Sequence, residues 1–265
     1  MLNINELKVI DNEIFQEFEK STEKLPELLK GNFKYTSEVC FMYMNTTDFI
    51  KMSILENIER ENFYCANILY RSLIEHFLRF NYYFFNYALN GKSDEYSRKF
   101  RFALEFNDKI SIEKSENSLK KIDNEIHKSN QEIIKEIYDS NEDYKKFEID
   151  DLTSFSNELS IKNIISFTQE NLSKTELVPS DFFFFFIVQY SKLSSYVHGG
   201  MFAHRELIAF STNKERLRIL TVMYGLSLQA STFVKMYSYM ILHTHDPEFL
   251  NYYFTISTSI FKLKE

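Results

Sequence analysis

The sequence predicts an all-α fold, an up-down helical bundle carrying a charged helical insert, and three observations predict it. Only five Gly and three Pro punctuate 265 residues, whereas a sheet-rich chain of that length spends many such residues on tight turns. Apolar residues recur at spacings of three, four and seven along most of the chain, the period of one helix face. Hydrophobic residues make up 44% of the chain and aromatics 17%, with 27 Phe, 17 Tyr and no Trp. That composition can bury a sizeable core and excludes a disordered chain. The length is compatible with a single domain over residues 1–265.

The elements follow in order. Leu7, Ile10, Ile14, Phe15, Phe18, Leu25, Leu28 and Leu29 predict an amphipathic opening helix, with Pro26 breaking or restarting it. Two long apolar stretches, Thr36 to about Arg60 and Asn62 to about Asn90, read as adjacent antiparallel helices, with Glu61 and Asn62 at the turn between them. Gly91 and the polar GKSDEYS end the second. Residues 107–151 are rich in Lys, Glu, Asn and Ser. They still carry Ile110, Ile112, Leu119, Ile122, Ile126, Ile133, Ile134 and Ile137 at helical spacing, so they read as a solvated, amphipathic helical insert that protrudes from the bundle. A short helix is expected over Asn163 to Leu172. Pro179, Ser180 and Asp181 then open a helix containing FFFFFIV, which ends at His198 or Gly199, where glycine can take the left-handed conformation. MFAHREL reads as a solvated loop. A long apolar helix runs from about Glu215 to His243, and Asp246-Pro247 opens a last one through Phe261. No repeat of 20 to 50 residues is present.

Several function classes lose their support. A net charge of −7 and a pI near 5.5 argue against coating nucleic acid by bulk charge, while leaving room for a local basic patch. Cys40 and Cys65 form no CxxC pair and read as free thiols, which suits a reducing cytoplasm. The segment MLNINELKVIDNEIF lacks an apolar signal core. Ile219 to Val234 is uncharged but falls short of the roughly 20 apolar residues of a membrane span, so it reads as a buried helix. The cytoplasm is therefore the expected location, with no membrane partner. There is no GxGxxG, phosphate loop, HExxH or GxSxG, and no cofactor is called for. His243 and His245, two apart on a helix, diverge by about 200° and have no second ligand cluster, so no metal is expected.

Polar residues intrude on apolar helices in two places. In ANILYRSLIEHFLRF, Arg71 and Glu75 lie four apart on one helix face, where burial demands partners. In YSKLSSYVHGG, Ser191, Ser194, Ser195 and His198 share another face. Packing the two faces together predicts a buried cluster of Arg71, Glu75, Ser194 and His198, either structural or the floor of a pocket. In the structural alternative, His198 donates to Glu75 or to a backbone carbonyl and closes the helix end. His204 and Arg205, just past the glycine turn, are candidates to line the same cleft.

Two motifs carry a resemblance: A-x4-R-S-L-x-E, Ala66 to Glu75, and Y-x2-L-S-x3-H-G, Tyr190 to Gly199. They resemble a family of uncharacterised helical bacterial proteins related to the HEPN (higher eukaryotes and prokaryotes nucleotide-binding) superfamily. The resemblance implies a helical, often dimeric protein, in many members a metal-independent ribonuclease of a toxin or antiphage system. The superfamily signature is an Arg, four to six residues, then a His near a helix end. The His falls on His198. The positions for the Arg are Ser191, Lys192 and Leu193, so only Lys192 keeps the charge, without the planar fork of arginine. As a metal-independent endoribonuclease acting on RNA, the chain would use His198 to exchange a proton with the ribose 2′-hydroxyl or the leaving oxygen. Lys192 or Arg71 would stabilise phosphate charge, and Ser194 or Ser195 would orient the imidazole. HEPN-like proteins without the signature serve as binding or antitoxin modules. The alternative is therefore a non-catalytic interaction or regulatory module, with a partner protein in a defence or toxin-antitoxin system. The run FNYYFFNY, Phe80 to Tyr87, puts aromatics on every helix face and fits either a crowded core or a homodimer interface.

Overall fold

Asn3 shows how the helices begin. Its side chain accepts from the amides of Asn5 and Glu6, while Glu6 reaches back to the Asn3 amide at 2.7 Å, a reciprocal cap that opens α1 (Ile4–Thr22). The computed structural model describes residues 3–89, 91–122, 128–171, 180–209 and 213–261. Among them there is no strand, and the chain is all-α as the composition predicts. Pro26 falls in the first turn of the short α2 (Leu25–Leu28), where its missing N–H leaves no helical bond unmade. The turn between α3 (Lys34–Glu59) and α4 (Phe63–Leu89) lies where expected: Glu61 takes a left-handed φ of 54°, and Asn62 Oδ1 accepts from the Cys65 amide.

The remaining helices are α5 (Asp94–Ile122), α6 (Asn130–Asp139), α7 (Ile149–Glu158), α8 (Ile161–Asn171), α9 (Ser180–Val197), α10 (Met201–Ala209), α11 (Asn213–Leu242) and α12 (Phe249–Phe261). A 3-10 turn, Tyr144–Lys146, precedes α7. Because α5 starts at Asp94, the expected insert boundary at residue 107 falls inside a helix. The charged segment keeps a solvated outer side, where Ile112 is exposed. Its inner side belongs to the core, with Ile110, Ile133, Ile137 and Tyr144 buried. Ile126 and Pro179 lie outside the described residues, as do the side chains of Leu119, Ile122 and Asp181. MFAHREL is helical, not a loop: it forms α10, whose Ala203 amide donates to Ser195 Oγ at 3.1 Å. Its cap is a side chain from the preceding helix, invisible to a local reading.

The buried hydrophobic residues form one connected cluster running from Leu7 to Ile256. The run Phe80 to Tyr87 is absorbed within one chain: Phe80 and Tyr83 meet Tyr43 and Phe100, Tyr82 meets Phe167 of α8, and Phe84 stacks on Tyr237 of α11 at 4.5 Å. Each buried aromatic removes its apolar area from water at about 25 cal/mol per Å². Helix α11 packs against α1, α3, α4 and α12. Its segment Arg216–Leu242 is long and apolar enough by composition to cross a membrane, but half of its most apolar window is buried inside the fold. It also carries the fully buried, ion-paired Lys235.

Candidate functional site

Helices α4 and α9 run antiparallel, with Phe77 against Phe183, Tyr70 against Phe186 and Tyr64 against Tyr196. This register brings Arg71 opposite Tyr190 and Ser194. Arg71 Nη2 donates to the Tyr190 hydroxyl at 2.8 Å, Nε to Ser194 Oγ at 3.3 Å, and Nη1 to Glu75 Oε2 at 3.4 Å. The guanidinium carbon also lies 4.5 Å from the Tyr190 ring centroid. Glu75 takes a second donor, Arg79 Nη2, at 2.8 Å. Burial pushes the Tyr190 phenol up, Glu75 adding to the shift and Arg71 opposing it. Arg71, Glu75 and Ser194 thus meet as the helical spacing predicts. Arg79, one turn beyond Glu75 on the same face, and Tyr190, one turn before Ser194, complete the network. Both could have been read from the same i,i+4 rule.

His198 does not join this network. Its amide donates to the Ser194 carbonyl at 3.2 Å, but its side chain is exposed, and among the described residues its ring makes no hydrogen bond. The reason lies in the axial rise: four residues past Ser194 carry the imidazole about 6 Å further along α9. At that level lies only the first turn of α4, where Tyr64 donates to the Tyr196 carbonyl at 2.6 Å. Ser195 is occupied as the cap of α10 and does not orient His198. His204 and Arg205 lie exposed on α10. The glycines at this corner have separate roles. Gly199 holds a φ of +62°, a left-handed turn that ends α9, while a Cβ on Gly200 would overlap Ser195 Oγ.

Lys192 is exposed on the wall of a cleft of about 410 Å³ between α4, α9, α10 and α11. Gln189 shares that wall, with Arg218 from α11, Glu206 from α10, and Phe63 and Tyr70 from α4. Glu206 accepts from the Tyr196 hydroxyl at 2.6 Å. The Tyr70 hydroxyl is buried without a hydrogen-bond partner, and burial holds its proton well above the ordinary phenol range. This cleft combines two cations, one carboxylate, aromatic rings and an unsatisfied phenol buried in its wall.

Another polar cluster, missed in the sequence, lies inside the bundle. Lys51 and Lys235 are fully buried, beside Asp11 and Asp48. Lys51 bridges the carboxylates of Asp11 and Asp48, and Lys235 Nζ lies 2.5 Å from Asp48 Oδ1. The Tyr224 hydroxyl donates to Asp11 Oδ2 at 2.5 Å, and Ser231 donates to Asp48 Oδ1 at 2.7 Å. The two lysines hold the Asp48 carboxyl below the usual carboxylate range despite its burial. The only sequence signal was the Asp48/Lys51 spacing of three.

No group of three or more His, Cys, Asp or Glu among the described residues is placed to hold a metal. His245 stacks on Phe33 and faces the Tyr87 hydroxyl at 3.0 Å, while His243 Nδ1 donates to the Met240 carbonyl. His76 likewise donates to the Ser72 carbonyl. Fold and polar groups together define an all-α protein with a cationic, aromatic cleft and a separate buried ionic network. Comparison with protein-family models, with curated proteins and with solved structures finds no match to this chain.

Proposed function

We propose that the chain is a HEPN-like, cytoplasmic protein of a toxin or antiphage-defence system that acts on RNA as a metal-independent endoribonuclease. The observation that carries this reading is the cleft holding Lys192. There Lys192 and Arg218 supply phosphate-neutralising charge, and the exposed rings of Phe185 and Phe202 offer aromatic surface to a base. His198 is not part of the cleft lining but sits at the corner joining α9 to α10, two of the four helices that wall the cleft, with its ring exposed to solvent-borne substrate. In the step proposed, the ribose 2′-oxygen bonds to phosphorus and the P–O5′ bond breaks. His198 takes the 2′ proton, and an acid supplies one to the leaving 5′-oxygen. A homodimer placing two such imidazoles together would provide both base and acid.

The test is RNA incubation in EDTA with wild type, His198→Ala and Lys192→Ala. Cleavage by wild type that His198→Ala loses at unchanged melting temperature supports the enzyme. RNA binding that Lys192→Ala weakens, with no cleavage by any variant, leaves the binding module. Absence of both binding and cleavage ends the reading. One observation favours the non-catalytic interaction module: Arg71 and Glu75 are engaged by Tyr190, Ser194 and Arg79 and serve the α4–α9 contact.

A further inference from the structure

A second cleft, of about 650 Å³, lies between α1 and α3, a volume in the range of small-molecule sites. It exists because α1 and α3 each pack on α11 rather than along one another, leaving Tyr224 of α11 at its base. Phe15 of α1 and Phe49 and Met52 of α3 form an apolar wall, and all three are exposed. The amides of Asn12 and Asn45 add polar groups that make no hydrogen bond among the described residues.

The base of the cleft is unusual. Asp48 borders it, yet is only 4% exposed. Its Oδ1 accepts from three donors, Lys51 Nζ at 2.9 Å, Lys235 Nζ at 2.5 Å and Ser231 Oγ at 2.7 Å. Its Oδ2 is buried and has no partner. An ionised carboxylate accepts at both oxygens, so a buried Oδ2 without a donor is an acceptor held in waiting. The charges around it already balance, two carboxylates against two ammonium groups, so the missing donor need bring no charge.

We propose that this cleft is a binding site for a neutral, largely aromatic small molecule that donates one N–H or O–H to Asp48 Oδ2 while its apolar body lies against Phe15, Phe49 and Met52. The site is independent of the Lys192 cleft and of any action on RNA.

Indole and 1-methylindole test it on the wild-type protein, because they differ by the one donor at issue. The chain has no Trp, so the fluorescence of either probe is read without indole background. Indole is expected to bind in the millimolar range or tighter, and about tenfold tighter than 1-methylindole, the value of one hydrogen bond to a charged acceptor. The Met52 methyl resonance, assigned through Met52→Leu, should move with the same titration. Phe49→Ser, at an exposed position that the fold tolerates, should weaken both probes and leave their ratio unchanged. Equal affinities for the two probes overturn the proposal, as does binding that leaves the Met52 methyl unmoved. Undetectable indole binding overturns it as well.

Discussion

Replacing Asp48 by Ala tests the buried ionic network most directly. The carboxylate holds Lys235 at 2.5 Å, Lys51 at 2.9 Å and Ser231 at 2.7 Å. After Asp48→Ala, Lys51 keeps Asp11, but Lys235 keeps only the Ser231 hydroxyl at 2.9 Å and the Phe18 ring at 5.2 Å. One fully buried ammonium then has no counter-charge, a loss of about 3–5 kcal/mol. For a chain of this size each kcal/mol moves the melting temperature by roughly 2–4 °C, so a fall of about 6–20 °C is expected. Urea unfolding followed by the helical circular dichroism signal measures the free energy, and a thermal scan measures the shift. The double variant Asp48→Leu with Lys235→Met removes the charges together and should recover most of the loss. A single variant costing less than about 1 kcal/mol refutes the reasoning. So does a double variant as unstable as the sum of its parts.

Burial pulls the Lys235 ammonium down to about 8, against the attraction of Asp48. Its ordinary value of 10.5 applies once the chain unfolds, so between about 8 and 10.5 the unfolded state binds more protons. The stability of wild type relative to Lys235→Met should therefore rise with pH across that window and level off below about 8, where both states are protonated; a flat difference across the window in pH-resolved urea unfolding counts against it. Gly200→Ala should lose about 1–3 kcal/mol from the clash with Ser195 Oγ, and adding Ser195→Ala should recover part of it in thermal melts, since the obstructing hydroxyl is gone. His198→Ala should leave stability within about 0.5 kcal/mol, because the ring is exposed; a larger drop by calorimetry would reveal a contact outside the described residues.

The helices were legible in the sequence because each is set by local chemistry: periodicity along α3, α4 and α11, the Asn62 turn, and Gly199 with its left-handed φ. The meeting of Arg71, Glu75 and Ser194 was legible for the same reason, since charges on an apolar face must find a polar face to pack against. Helix α10 was not, because the side chain capping it comes from Ser195 on the preceding helix. Nor was the separation of His198 from Arg71: spacing within α9 sets the face of a residue, while the level at which α4 starts beside it is a matter of packing. The buried quartet of Asp11, Asp48, Lys51 and Lys235 lay furthest from view. Each residue alone looks like a solvated position on an amphipathic helix, and only the register of α1, α3 and α11 brings them together in the dry interior. Backbone hydrogen bonding and hydrophobic period act over a few residues and are written in the chain. Pairing between charges far apart in sequence depends on how helices slide and rotate against one another, and that is decided only when the core closes.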